Sequence, residues 1–305
     1  MLHATKVKVL VLTLLLSTAA TAGAQEPVYK KMTPEQMEGL MQGMGLTYKK
    51  ITGMNPGTFY YDFNRNNKVL RLHFFNGQDI MLDALYDRQP LEMLNKWNTR
   101  AKFSRACLHK DNKGEFVALE SNLDIIGGVT DSTVRNFFNT FYQEITAFEK
   151  HLGGSSTPTP MPMPMPMPMP MPQVGGDDTI FKNVPPERLE KVMGALNIMY
   201  KKSPLKGGGF FYDFDYKGSK MRVYNWNGND LMIDAVFKTT TLDKVNQYNL
   251  QRKFIRTVLY ADGGNQYTSL EANIDCAGGI SENMIRHFIV TFDEEVRAFA
   301  KFLGN

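Results

Sequence analysis

The chain has 305 residues and a formal charge of +4, with 43% hydrophobic and 22% charged positions. This composition is typical of globular proteins, and the length favours two domains. Two cysteines and five histidines exclude a disulfide scaffold and a Cys/His zinc array, and the low charge excludes a polycation built for nucleic acid. Fifteen prolines and nineteen methionines are the unusual counts, and their positions matter more than their number.

Residues 1–24 have the pattern of a secretory signal peptide. Lys6 and Lys8 precede an apolar run over residues 9–16, and Ala22-Gly23-Ala24 supplies the small residues of a cleavage site. The alternative is a membrane anchor, but the run is far shorter than the ~20 residues of a spanning helix, so stable membrane insertion is not expected. We expect cleavage after Ala24 and a periplasmic or secreted protein. Loss of the two lysines lowers the formal charge from +4 to +2, which gives no electrostatic case for nucleic acid.

The rest of the chain repeats itself. Residues 58–153 align with residues 209–304 at a constant offset of 151 without a gap, and 35 of these 96 positions are identical. Two long copies indicate a duplicated globular domain and not a solenoid. The predicted division is therefore a signal peptide (1–24), a first domain (25–153), a linker (154–178) and a second domain (179–305).

The linker is dominated by alternating proline and methionine over residues 160–172. Proline fixes φ and removes a backbone donor, so this segment favours polyproline II, a semi-rigid spacer of roughly 40 Å at ~3.1 Å per residue. The alternative is a thioether site for Cu(I). Three residues per turn send successive methionines to three different faces, and this favours the spacer.

In chain order, each copy is predicted to contain a helix, four strands, a helix, two strands and a helix. In the first copy, Thr33 caps the first helix and Pro34 occupies its first position. Strands are predicted over residues 46–52 and 58–63, followed by a hairpin at Asn76-Gly77. A second helix is expected over residues 90–102.

A second hairpin is predicted from residues 103–109 and 115–121. Thr130, and Ser281 in the second copy, are predicted to cap the last helix, whose apolar stripe would dock on the sheet. The stripe of the first copy consists of Val134, Phe137, Phe138, Phe141, Ile145, Phe148 and Leu152.

The register of the first hairpin follows from side-chain parity. A two-residue loop would bury Asp79 and Asp83 beside Leu72, whereas a three-residue loop ending in a left-handed glycine places Leu72 with Leu82. The three-residue loop is therefore expected. Each copy then has one apolar sheet face and one mixed face that carries aromatic and charged side chains.

Three short motifs stand out in the first copy, namely Asn95-xx-Asn98, Leu119-Glu120-x-Asn122-x-Asp124 and Gly127-Gly128-Val129-Thr130. With the predicted element order, they resemble the YbjN-like domain family. The family consists of bacterial sensory-transduction regulators with a fold similar to type III secretion chaperones. The resemblance implies an α+β antiparallel-sheet domain that pairs with a like domain and holds a polypeptide, and it brings no catalytic residues. The signal peptide and the duplication depart from the family's usual plan.

The mixed faces hold the best candidate site. Two aspartates four apart on a strand lie about 13 Å apart, too far for a glycosidase pair, whereas a neighbouring arginine could bridge to either. One interpretation is a cross-strand ion ladder that keeps the face soluble, and the other is a polar rim around an aromatic partner-binding surface. The candidate partner-binding residues are Arg71, Phe75, Asp79, Asp83, Arg222, Trp226, Asp230 and Asp234.

Other polar and small residues favour structural roles. Asn95 and Asn98 lie three apart on one helix face, as do Asn246 and Asn249, and such pairs favour bonds to a neighbouring backbone over a ligand. Gly127-Gly128 could hold an anion before a helix, but no phosphate-loop residues flank it, so a turn is favoured. Cys107 and Cys276 align with aliphatic residues, which favours buried thiols, although a disulfide is chemically allowed after export.

No catalytic motif and no metal-binding spacing of histidines is present, so we expect no enzyme, no cofactor and no metal site. The leading hypothesis is an exported, non-enzymatic protein that binds an unidentified protein or peptide. Its two copies would pack as an intramolecular pseudo-dimer or act as independent modules, and a homo-oligomer is also possible. The alternative is a periplasmic sensor of a small ligand, or of Cu(I) through the Met-Pro linker.

Overall fold

The computed structural model describes residues 26–153 and 179–304. The predicted signal peptide, the Met-Pro linker and the copper hypothesis attached to it concern residues that lie outside this part of the chain.

Each half is an α+β unit with the element order that the sequence predicts. The first half contains α1 (Pro34–Gly43), β1 (Tyr48–Thr52), β2 (Thr58–Arg65), β3 (Lys68–Phe75), β4 (Asp79–Asp87), α2 (Leu91–Asn98), β5 (Arg105–Asp111), β6 (Gly114–Asp124) and α3 (Asp131–His151). The second half contains α4 (Pro186–Ala195), β7 (Tyr200–Pro204), β8 (Phe210–Tyr216), β9 (Ser219–Trp226), β10 (Asp230–Lys238), α5 (Leu242–Gln251), β11 (Arg256–Asp262), β12 (Asn265–Asp275) and α6 (Glu282–Leu303).

Two antiparallel six-stranded sheets form the framework. The first has the order β1-β2-β3-β4-β6-β5, and the second has the equivalent order β7-β8-β9-β10-β12-β11. Leu72 pairs with Leu82, and the β3–β4 loop is three residues long, so the predicted register is confirmed. Gly77 in this loop has φ +74°, a conformation that a residue without a Cβ adopts readily.

The helix ends follow side-chain chemistry. Thr130 and Ser281 accept hydrogen bonds from the backbone at the starts of α3 and α6, as the sequence predicts. The second helix, however, ends at Asn98 and not at residue 102. Asn98 is buried, and its amide bonds both the N–H and the carbonyl of Ala106 at the start of β5. This contact turns the chain into the next strand.

The long helices cover the apolar sheet faces. Val134, Phe138, Phe141 and Phe148 of α3 are fully buried, and they belong to the same hydrophobic core cluster as sheet residues such as Leu72. Fully burying each such side chain stabilises the fold by ~1.5–3 kcal/mol, which is ample to dock the helix. None of the helices in the described ranges is long and apolar enough to cross a membrane.

The two halves contact each other at the starts of α3 and α6. The hydroxyl of Thr133 on α3 shares its one proton between the carbonyls of Gly278 and Gly279, at 3.1 and 3.0 Å, and Ser281 donates to the carbonyl of Gly127. A methyl group at Gly278 would lie 2.7 Å from Cα of Thr133. The glycine pairs are turns, as predicted, and their second role is to let a helix of the other half approach closely.

Candidate functional site

The arginine of the mixed face bonds a carboxylate that the sequence analysis did not single out. Arg71 donates two hydrogen bonds to Asp62 on β2, at 2.6 and 2.9 Å, and not to Asp79 or Asp83. Asp62 and Asp83 both lie opposite Arg71 in the sheet, but Asp83 is 2.6 Å from Nε2 of His73. Arg222 pairs in the same way with Asp213 in the second half.

Asp83 and Asp234 occupy equivalent positions with different partners. The second half has Tyr224 where the first has His73, and its hydroxyl donates to Asp234 at 3.2 Å. Burial, together with the nearby negative charge of Glu271, raises the pKa of Asp234 to about 7. The two halves therefore differ in the residue that contacts this aspartate on the mixed face.

The remaining candidates contact the opposite half. Lys253 lies over the ring of Phe75, 3.3 Å from its centroid, and its ammonium is 3.3 Å from Asp79. Burial raises the pKa of Asp79, although Lys253 opposes the shift. Phe75 and Asp79 thus face a side chain of the second half.

The second half repeats this contact in reverse. Lys102 of the first half lies 4.9 Å from the ring of Trp226 and 2.8 Å from Asp230. The aromatic and acidic candidates at the β3–β4 and β9–β10 turns therefore lie in the contact between halves. Arg71 and Arg222 remain about 40% exposed.

The asparagines of α2 and α5 bond backbone, as the sequence predicts, but the backbone belongs to the other half. Asn95 donates to the carbonyl of Leu259 at 2.7 Å and accepts from its N–H at 2.9 Å. Asn246 bonds both backbone groups of Leu108 in the same way. Each amide thus occupies the free edge of the other half's outer strand, β11 or β5.

Two buried ion pairs flank the centre of the molecule. Arg105 pairs with Glu120, and Arg256 pairs with Glu271, both at 2.8 Å and both almost completely buried. Burial opposes ionisation of Glu120, but Arg105 and His109 outweigh it and hold the pKa of that carboxyl below its usual value.

The same two arginines reach across the centre. Arg105 donates to the carbonyl of Ile255, and Arg256 to that of Ala101, so each contacts backbone of the other half. The ion pairs therefore belong to the interface as well as to their own sheets.

Near these pairs, the aspartates that end β6 and β12 bond the opposite long helix. Asp124 is 2.6 Å from Nε2 of His287, and this contact raises the pKa of the imidazole. The equivalent Asp275 accepts hydrogen bonds from Asn136 at 2.7 Å and Thr140 at 3.0 Å. Asp124 thus faces an ionisable imidazole, whereas Asp275 faces neutral hydrogen-bond donors.

A cavity of about 150 Å³ lies between the halves, and residues of both halves line it. Its polar lining includes Asn122 and Asn273, whose Oδ1 atoms are buried and accept no hydrogen bond within the described ranges. Phe103 and Phe254 contribute aromatic surface. The cavity is large enough for a molecule of roughly the size of benzene.

No group of His, Cys, Asp and Glu suited to a metal ion occurs among the residues that the structure describes. Cys107 and Cys276 are buried free thiols, and burial raises the pKa of each. They do not form the disulfide that the sequence allowed.

Sequence reasoning singled out the turn residues of the mixed face but missed the central groups. The signal was present in the repeat itself, because these polar residues are identical in the two copies. The pairs are Arg105 and Arg256, Glu120 and Glu271, Asn122 and Asn273, and Asp124 and Asp275. All eight of these residues line the cavity between the halves.

Fold and site define a duplicated α+β domain whose halves meet around a central cavity. Residues 33–154 match the family YbjN, described as "Putative bacterial sensory transduction regulator". The expected resemblance is thus confirmed for the first half, and the second half repeats its fold. This family is described as regulatory and not as an enzyme.

Two solved structures are similar. One is "Crystal structure of YbjN, a putative transcription regulator from E. coli", with 13% identity, 39% of this chain and 92% of that chain covered, and a TM-score of 0.30. The other is an uncharacterized protein from Methanothermobacter thermautotrophicus, with 12% identity, 39% and 98% covered, and a TM-score of 0.29. Among curated proteins, none matches this chain.

Proposed function

We propose that the protein is an exported, non-enzymatic regulatory protein that binds a small molecule between its two halves. The observation that carries the proposal is the cavity of about 150 Å³, because both halves line it and four pairs of identical polar residues of the two copies lie in its wall, namely Arg105 and Arg256, Glu120 and Glu271, Asn122 and Asn273, and Asp124 and Asp275. Export rests on the signal peptide predicted for residues 1–24.

Binding of a ligand in this cavity would be coupled to the contact between the two halves. An occupant that contacts both halves binds only when they are together, so it stabilises their contact by mass action, by ~2.7 kcal/mol at a hundredfold excess over its Kd. The contacts that would respond are Asn95 with Leu259, Asn246 with Leu108, and the arginine bonds to Ile255 and Ala101. This coupling fits the sensory description of the matching family.

Native mass spectrometry of the full chain, purified from the periplasmic fraction without denaturation, tests the proposal. We expect a bound small molecule that raises the unfolding temperature. Thr291→Met narrows the cavity and should abolish that shift, since Thr291 lines the cavity wall. Thr146→Met is the matched control, because Thr146 lies on the exposed side of α3.

A second candidate is a protein or peptide partner on the outward part of the mixed faces. Val69 and Leu85 are 62% and 55% exposed there, and Val236 of the second half is 62% exposed. Addition of a strand at the outer edges is disfavoured, because β1 carries Lys49 and Lys50.

The two candidates give different results. If no small molecule binds or shifts the unfolding temperature, and Leu85→Glu releases a copurifying protein, the ligand proposal is wrong and the partner candidate is supported. Retention of the small molecule by Leu85→Glu supports the cavity.

A further inference from the structure

We propose that His287 and Asp124 form a proton-dependent contact between the two halves, so that acidification strengthens their association. This inference goes beyond the proposed function, because the effector is the proton and no small molecule is needed. It follows from the position of the two side chains, from the distribution of histidines between the copies and from the charges around the contact.

The contact joins the end of one sheet to the long helix of the other half. Asp124 is the last residue of β6, and His287 lies in the second turn of α6. Nε2 of His287 is 2.6 Å from a carboxylate oxygen of Asp124. The side chains of His287 and Asp124 are 33% and 20% exposed, so protons from the solvent reach a contact that connects the halves.

The equivalent contact in the opposite direction is made by neutral donors. Asn136 occupies the position of His287 in the first copy, and it donates to Asp275 at 2.7 Å. Thr140 donates to the same carboxylate at 3.0 Å. Amides and hydroxyls do not change charge between about pH 5 and 8, whereas histidine is the side chain whose ordinary pKa lies in this range. One of the two equivalent contacts can therefore respond to pH, and the other is a fixed reference.

The same difference separates the two copies over the rest of the mixed faces. Three carboxylates of the first sheet contact an imidazole, and an uncharged donor takes the place of that imidazole at each equivalent carboxylate of the second sheet. The two further imidazole contacts are His73 with Asp83 at 2.6 Å and His109 with Glu120 at 3.0 Å. Their counterparts are Tyr224 with Asp234 and Tyr260 with Glu271. Of the three imidazoles, His287 is the one that lies in the opposite half from its carboxylate, so it couples protonation to the contact between halves.

The charges around His287 favour its protonated form. Asp79 lies opposite Asp124 in the first sheet, and Lys253 of the second half bonds it. Glu294, two turns further along α6, adds a negative charge that acts on His287. Protonation of His287 gives each of the two neighbouring aspartates a cation from the other half, whereas the neutral imidazole leaves Lys253 as the cation bonded to this pair.

The direction of the pH effect follows from proton linkage. The hydrogen bond to Asp124 raises the pKa of His287 above its ordinary value, and burial opposes part of this shift. The folded protein therefore holds the proton more tightly than the unfolded chain does. The resulting stabilisation is complete below about pH 6.5, the ordinary pKa of histidine, and it is lost as pH rises through the pKa of the folded protein.

His287→Asn gives this position the residue of the first copy and tests the inference on the full chain. We expect the urea midpoint of the parent to exceed that of the variant at about pH 5.5, and the difference to disappear toward about pH 9. The Leu259 and Leu108 amides, which are bonded across the interface, report on the contact itself. Their hydrogen exchange should be about threefold to tenfold faster in the variant at about pH 5.5 and within about twofold of the parent at about pH 9, because a charged donor is replaced by a neutral one at a partly exposed site.

Two further variants complete the test. Asn136→His places an imidazole beside Asp275 and should make the pH dependence of the urea midpoint steeper over the same range. His151→Phe is the matched control, because His151 bonds the carbonyl of Met93 in its own half and the second copy has phenylalanine at this position. Its interface amides should exchange as in the parent at both pH values. Since His287→Asn and Asn136→His are independent, failure of one to fold leaves the other as the test.

Two results would overturn the inference. One is a difference in urea midpoint between His287→Asn and the parent that stays constant over this pH range, as expected for a contact without a titrating proton. The other is an imidazole of His287 that titrates, in NMR spectra of the folded parent, at or below the pH at which it titrates in the urea-unfolded chain. Either result leaves the proposed function standing, because that proposal depends on occupancy of the cavity and not on this proton.

Discussion

Glu120 and Glu271 are buried carboxylates, each held by an arginine one strand away. Such a pair is costly to desolvate, so it contributes little stability in itself, but removing one partner leaves an uncompensated charge. Each arginine also bonds backbone of the other half. The pairs therefore fix the position of the halves more than they stabilise either one.

Glu271→Gln tests this directly. We expect the free energy of unfolding to fall by about 3–5 kcal/mol, because Arg256 remains buried without its counter-charge. The control is Glu115→Gln, which breaks the Arg88–Glu115 pair of similar length on the surface and should cost less than about 1 kcal/mol. Urea unfolding of both variants gives the comparison, and equal losses would contradict the interpretation.

Asp234 should make stability depend on pH. Its pKa in the folded protein is about 7, above the value of ~3.9 in an unfolded chain, so the folded state binds more protons between these values. The free energy of unfolding should therefore fall as pH rises from about 4 to 7, by at most ~1.4 kcal/mol per pH unit.

Asp234→Asn should remove this dependence, because the amide resembles the protonated acid and still accepts from Tyr224. We expect the variant to be more stable than the parent at pH 8 by about 2–4 kcal/mol and equal to it near pH 4. The matched control is Asp83→Asn, which replaces the carboxylate 2.6 Å from Nε2 of His73 by a neutral amide and should bring no gain. Urea midpoints measured across this pH range decide the matter, and parallel curves for Asp234→Asn and the parent would refute the prediction.

Residue-level partners were only partly predictable. Parity of the hairpin placed Arg71 and Asp83 on one face, which is a property of the backbone repeat. It could not choose between Asp62 and Asp83 as the partner of Arg71, because both lie directly opposite. The partner of Arg71 depends on the hydrogen bond between His73 and Asp83, which is a contact between side chains.

At the scale of elements, the outer strands β5 and β11 are protected by side chains and not by another strand. Exposed strand edges invite pairing with other chains, and an asparagine amide offers the same donor and acceptor as a backbone. Asn95 and Asn246 supply this group across the interface. The edges are thus closed only when the halves are together.

Asn95→Ala should open one edge and leave the other closed. We expect hydrogen exchange of the Leu259 amide to accelerate about tenfold or more, since its acceptor is lost. The Leu108 amide, bonded by Asn246, serves as the control in the same molecule and should keep its protection. Asn246→Ala should reverse the pattern, and equal exchange at both amides in either variant would show that the asparagines do not protect the edges.

The sequence predicted elements well wherever a local repeat determines them. The caps at Thr130 and Ser281 and the three-residue hairpin follow from local chemistry and parity. The end of α2 at Asn98 does not, because it depends on the bond to Ala106 in the following strand. Contacts between the halves likewise require knowledge of how two sheets meet.

For the whole molecule, equivalent residues of the two copies contact each other's halves in both directions. Lys102 and Lys253, Arg105 and Arg256, and Asn95 and Asn246 form three such pairs. Joining two copies in one chain raises the effective concentration of each for the other to the millimolar range. The contacts themselves, however, do not require the connection.

Cleavage of the connection should therefore leave the halves together. A protease site inserted in residues 160–172 and cut after purification should yield one particle containing both halves at micromolar concentration, measured by native mass spectrometry. Gly278→Ala should release the halves after cleavage, because its Cβ would lie 2.7 Å from Cα of Thr133 in the other half. Gly39→Ala, in α1 with open space around it, should leave them joined, since alanine favours the helix and meets no neighbour. Separation of the parent halves on cleavage would show that the chain connection, and not the interface, holds the molecule together.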